Sequence, residues 1–259
     1  MNIKKLLLLT STFILIGQNL FSNEHSFRKY EHVKKFYKSI YKDAIDVGLK
    51  HNIPPAAIMA IAGLESGYGS GYVSQITGNI LSLGAFKGDA ELPSLYLPYS
   101  LKDKKVLFIL KDINSYDKKD LVYKQRSKSL KRDYRPKKYA GSIKNLELLT
   151  YDKALKKEAN LACLNDFTTR WISISSKVNV FKNARIYLNG EVKKKTKDIL
   201  LDKKLNVKFI NMIGGHKHSF NYRSEWPKKV VLIMNKVGLC ELVKDIYKDH
   251  KNFNDAWSN

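Results

Sequence analysis

The stretch Ile53 to Tyr72, IPPAAIMAIAGLESGYGSGY, reads as a short buried helix that ends on a single glutamate. Asn52 and the Pro54–Pro55 pair start it, because proline has no amide hydrogen to lose in a first turn. Gly67, Gly69 and Gly71 stop it. Their G-x-G-x-G spacing follows a helix instead of a strand, which excludes a dinucleotide-binding loop. Glu65 falls four residues after Ile61, three after Ala62 and seven after Ile58, so it shares their stripe. A carboxyl against apolar neighbours loses hydration and its pKa rises. Such an acid keeps a proton near neutral pH and can deliver it to a leaving oxygen. The alternative is a helix-end glutamate turned to solvent or paired with Arg or Lys.

The rest of the chain is mostly helical in pattern. Ser26 to Lys50 repeats Tyr, Phe, Val and Ile at three- and four-residue steps with Lys outside, an amphipathic helix. Asn79 to Tyr99, punctuated by Gly84, Gly88, Pro93 and Pro98, predicts a loop or small β-lobe. Residues 101–140 are lysine-rich and read as a basic insertion, with Val106 to Leu110 a short strand or helical turn. Helical spacing returns at Asn145 to Asn165, Phe167 to Leu188 and Lys228 to Tyr247, and Glu191 to Lys204 reads as charged and exposed.

The N-terminus, MNIKKLLLLTSTFILIGQNLFSN, has Lys4 and Lys5, an apolar run from Leu6 to Gly17 and then polar residues. That is the layout of a signal peptide over residues 1–22, with the mature chain 23–259 exported to the periplasm or cell envelope. The formal net charge of +23, from 47 Lys+Arg against 24 Asp+Glu, points to an anionic partner. Export argues against nucleic acid, and no zinc finger, helix-turn-helix or RNA-binding signature is present. An anionic envelope polymer fits better. Cys163 and Cys240 sit among apolar residues at helical spacing; core packing and a disulfide are both open. His216 and His218 have no Asp, Cys or third His beside them, so neither a metal nor another cofactor is expected. Trp171 and Trp226 read as sugar-stacking platforms or as core and rim residues.

The run AGLESGYGSG (Ala62 to Gly71), preceded by IPP and followed by NILSLGAFKG (Asn79 to Gly88), resembles the glucosaminidases of glycoside hydrolase family 73. These are peptidoglycan hydrolases that include flagellar-rod and Bax-like members. The resemblance returns at NYRSEWPKKVVLIMNKVGL (Asn221 to Leu239), while Leu101 to Lys204 carries no match. It implies a mostly α (α+β) fold, a lysozyme-like helical domain with a small irregular β-lobe. Glu65 then matches the general acid and Tyr222 the active-site tyrosine, although Ser224, Glu225 and Pro227 are out of the usual spacing by one. Tyr68 stands where tryptophan is usual, and with Asn79 and Phe86 it would contact the sugar. The second carboxylate would be Glu91 or Asp89, which alternate and share a side in an extended strand.

The resemblance implies a monomer that cleaves the β-1,4 bond between N-acetylglucosamine and N-acetylmuramic acid in peptidoglycan glycan strands, in association with the envelope. A lytic transglycosylase and a non-catalytic wall-binding or assembly protein are the alternatives. If the basic surface holds this polymer, binding to purified wall weakens as salt rises, since charge contacts are screened over about 10 Å at 0.1 M. Sedimentation with wall across a salt series checks this; flat binding would mean that the lysines only solubilise.

Overall fold

A computed structural model describes residues 25–85, 95–125, 132–136, 138 and 148–259. The segment 1–22, read as a signal peptide, lies outside them. The fold is mostly α, about 61% helical, with a small three-stranded antiparallel sheet.

The centre is helix α2 (Pro55–Ser66), preceded by α1 (Glu31–Lys50). Residues Ala56 through Ala62 are buried on every side of α2. A helix with no polar face cannot lie on a surface. Four helices cover it: α1, α8 (Lys203–Ile213), α9 (Trp226–Val237) and α10 (Leu239–Tyr247). Burying Ile58, Met59 and Ile61 contributes about 1.5–3 kcal/mol each, together more than a cap of about 1 kcal/mol supplies, so packing holds α2 in place. At its start, the Ala57 amide donates to Asn206 Oδ1 of α8 at 2.9 Å. Asn206 is itself fully buried and donates to Leu200 O and Asp202 O. Near its end, a side chain on Gly63 would run into the Tyr37 hydroxyl of α1.

After α2 comes a short helix α3 (Tyr72–Thr77), then strands β1 (Tyr96–Ser100), β2 (Lys105–Val106) and β3 (Leu121–Gln125), with helix α4 (Leu110–Ile113) between β2 and β3. The order is β2-β1-β3, with Tyr99 opposite both Val106 and Val122. Both outer strands come from the basic stretch 101–140. A small second core of Tyr72, Ile76, Leu95, Leu97, Leu107 and Ile113 lies beneath.

Several expected helices are interrupted, each for a local reason. The first begins at Glu31 and not Ser26, because residues 25–29 form a turn held by Arg28. The Arg28 guanidinium donates to Val237 O (2.7 Å), Gly238 O (3.1 Å), Ala256 O (2.9 Å) and Trp257 O (2.8 Å), closing the ends of α9 and of α11 (Phe253–Ser258). Lys228 to Tyr247 is two helices, α9 and α10, divided at Gly238 with φ 66°. Asn145 to Asn165 becomes α5 (Leu148–Tyr151) and α6 (Lys153–Asp166), where the Asp152 side chain accepts from the Leu155 amide. Phe167 to Leu188 becomes a π turn, Phe167–Trp171, and then α7 (Asn179–Lys195). There the buried Arg185 guanidinium donates to Ile172 O at 2.7 Å and to Thr168 O. The stretch 191–204, expected to be exposed, ends in a 3-10 turn that buries Leu200 completely, and α8 follows it.

Among the described residues no helix is long and apolar enough to cross a membrane. Cys163 in α6 and Cys240 in α10 are buried, unpaired thiols. Burial pushes each thiol up to about 12, so almost no thiolate exists near neutrality. Native protein at pH 8 should therefore show no rapid reaction with a thiol reagent. Denatured protein should titrate both cysteines; fast reaction of either in the folded state would contradict this packing.

Candidate active site

Glu65 emerges where the buried helix ends. Gly67 closes α2 in the left-handed conformation at φ 56°, and its amide turns back to Leu64 O. The chain then reaches the sheet directly: Gly71 bridges Ile109, Tyr72 N donates to Phe108 O, and Leu110 N donates to Ser70 O at 3.1 Å. The carboxylate is thus placed at the junction of the large helical core and the strand-bearing part, and it is half-buried.

Its neighbour is Trp226. The indole Nε1 donates to Glu65 Oε1 at 2.7 Å. Trp226 opens α9, is 3% exposed and carries Pro227 behind it, a helix start in which proline loses no hydrogen bond. Of the two roles open to it, Trp226 takes that of a core residue; its ring is not presented to solvent as a platform. Phe220 lies against the ring with centroids 5.4 Å apart and touches Trp171 at 5.5 Å and Phe167 at 5.8 Å. Any Cβ on Gly214 would collide with the Trp226 ring, and one on Gly215, which has φ 86°, would meet Pro227. Gly214 and an aromatic cluster therefore hold the indole, and the indole holds one oxygen of Glu65. The sequence reading did not pair Trp226 with Glu65; the signal available for it was that a buried indole N–H needs an acceptor.

The other expected site residues fall in different places. Tyr222 is on the loop before α9, 71% exposed, with the Arg223 guanidinium 5.9 Å from its ring. The Tyr68 ring packs toward α1, edge-on to Tyr37 at 6.0 Å and Phe36 at 6.3 Å. It has φ 53°, unusual for a bulky residue, and burial pushes its hydroxyl up to about 12.

Asn79, expected to contact the sugar, is held inside the structure. It is 2% exposed, donates to Leu83 O and Arg132 O at 2.9 Å each, and accepts from Leu83 N at 2.8 Å. The Cys163 thiol donates to the same oxygen. Its amide is spent on closing the 79–83 loop and joining it to residues 132–135, where Tyr134 N donates to Thr77 O and a fully buried Asp133–Arg135 ion pair spans 2.6 Å. Phe86, Asp89 and Glu91 lie outside the described residues. His216 is exposed, its ring nitrogens against Met212 O and Lys217 O.

Compared with known protein families, curated proteins and solved structures, the chain finds no match.

The Glu65–Trp226 pair is open to a coupling test. Trp226→Phe removes one hydrogen bond to a carboxylate and should cost about 1.5–3 kcal/mol in urea unfolding. Gly214→Ala overpacks the ring and should cost about 1–3 kcal/mol. Because the smaller ring relieves that clash, the double variant should lose less than the two single losses added together. Strict additivity would mean that Gly214 does not position the indole.

Proposed function

We propose that this chain is an exported peptidoglycan hydrolase, a β-N-acetylglucosaminidase in which Glu65 is the general acid. The observation that carries the reading is the Glu65–Trp226 hydrogen bond at the end of a helix that is otherwise buried all round. Oε1 accepts from the indole, which fixes the carboxyl group in place. In this reading Glu65 carries its proton before the glycosidic bond breaks. In the proposed step that proton passes to the glycosidic oxygen as the bond from C1 breaks, leaving an oxocarbenium-like centre. Water adds at C1 and gives up its proton to a second carboxylate, for which Asp89 and Glu91 are the sequence candidates. Tyr222, exposed four residues ahead of Trp226, is assigned to contact the glycan, and the surplus of lysine attracts the polymer's lactyl and peptide carboxylates.

Reducing-end analysis of wall fragments made by the purified protein tests the reaction. New N-acetylglucosamine reducing ends are expected. Anhydro-muramic ends would assign a lytic transglycosylase instead, and binding to wall with no release would assign a non-catalytic wall protein. Glu65→Gln keeps the shape and the indole bond but has no proton to give. Turnover should fall by about 10²–10⁴-fold while wall binding and folding persist. Near-normal hydrolysis by Glu65→Gln would remove Glu65 from the mechanism.

A further inference from the structure

A second feature is a cleft of about 480 Å³ between α1, the loop after α2, α3 and α6, which Glu65 does not line. Lys35 of α1 and Lys153, Lys156 and Lys157 of α6 line it, and among the described residues no aspartate or glutamate does. The acids nearby are engaged or remote. Glu31 stands 3.9 Å from Lys35 with both side chains exposed, a pairing that water weakens. Asp43 acts on Lys157 from a distance, and Asp152 spends its carboxylate on the Leu155 amide. The three lysines of α6 stand in its first two turns, where the helix dipole is already positive. Like charges gathered on one concave surface repel, and an anion that enters relieves them.

Lys156 is the inner member of the four. It is half-buried, donates to Gln75 Oε1 at 2.7 Å, and burial lowers its pKa with no carboxylate acting against that. Gln75 is held in turn by Gly69 O, to which its Nε2 donates, so the ammonium is fixed beside the loop after α2. An ammonium carries three N–H donors, and one is spent on Gln75. Two remain for a guest. The hydroxyls of Ser39, Ser70 and Ser74 donate to the carbonyls of Phe36, Gly67 and Gly71, which leaves them as acceptors. Asn160 closes the floor with its Oδ1 sealed from solvent and unpaired, out of a guest's reach.

We propose that this cleft binds a phosphate monoester, with Lys156 as the fixed anchor and the exposed Lys35, Lys153 and Lys157 closing on it. A monoester carries about −1.5 to −2 charges at pH 7 and three acceptor oxygens on one atom, so it accepts from several ammonium groups at once. A single carboxylate has one charge and leaves most of the lysines opposed. Hydroxyls on the body of the ester find acceptors in the three serines. The inference goes beyond the hydrolase reading, since it needs no glycosidic bond and no role for Glu65.

The test is calorimetric and amide-resolved NMR titration of the purified chain with glycerol 3-phosphate, dimethyl phosphate and malonate. Saturable shifts at Gln75 and Lys156 are expected with glycerol 3-phosphate. Dimethyl phosphate, which keeps the phosphorus but has one charge, and malonate, whose two charges lie on separate carboxylates, should each bind at least about tenfold more weakly, the loss of one charge-assisted contact. Lys156→Met keeps the buried stem and removes the charge, so the variant should melt no lower than the parent while binding falls by about tenfold or more. Glycerol 3-phosphate should raise the Tm of the parent and leave that of Lys156→Met unmoved, because only a ligand that binds the folded state shifts it. Sedimentation with phosphatidylcholine vesicles, with and without phosphatidic acid, identifies the source: capture that needs both phosphatidic acid and Lys156 assigns a lipid headgroup, and binding of glycerol 3-phosphate alone assigns a soluble ester. Equal binding of malonate or dimethyl phosphate, no binding of either monoester, or indifference to Lys156→Met would each overturn the assignment.

Discussion

The rest of the structure depends on burying a helix that has no polar side. Between Pro55 and Gly63 every residue of α2 is inside, so the chain must supply cover in all directions. α1 alone cannot do this. The C-terminal half returns three helices, α8, α9 and α10, to the same axis. The two ends of α2 are where polar groups meet that apolar interior, and each is satisfied from a distant element. Asn206 takes the Ala57 amide at one end, and the Trp226 indole reaches Glu65 at the other. A donor or carboxylate left unmatched at either end would cost about 1–3 kcal/mol or more, which ties the candidate site to the packing that creates it.

The basic composition serves two purposes. Most lysines are solvated, but Arg28, Arg135 and Arg185 are turned inward and act on the protein itself. Arg28 gathers four carbonyls at the ends of two helices, and Arg185 holds the π turn after α6. Burial lowers the pKa of both, yet guanidinium remains charged at any ordinary pH. The planar fork lets one side chain satisfy several carbonyls where the backbone reverses, a task that lysine cannot perform with the same geometry. This is why helical spacing overran the real boundaries at residues 26 and 172, where an arginine gathers carbonyls from outside its own turn, whereas at 238 the left-handed Gly238 makes the break.

Much of the architecture was legible because it rests on local patterns. The Pro54–Pro55 start and Gly67 stop of α2 are backbone chemistry, and the core face of α1 follows its three- and four-residue spacing. The capping role of Asp152 and the conformational freedom of Gly238 were also there to be read, although the apolar pattern ran straight across both. α8 was missed because the lysines at 203 and 204 draw attention to its charged start, while Leu205, Phe209, Ile210 and Ile213 form its buried stripe.

The sequence by itself determined that the chain is mostly helical, that one apolar helix must be buried, and that a glutamate stands at its end, since periodicity and turn chemistry act between near neighbours. Tertiary structure decided what that glutamate touches. Trp226 is 161 positions away, and Gly214 matters only because the ring it must admit folds back against it. It likewise decided that Asn79 closes a loop and that Asn160 is left with an unpaired oxygen on the floor of a cleft lined with lysines. A hydrogen bond between side chains from distant parts of the chain depends on the path of the backbone between them, and no short-range pattern records that path.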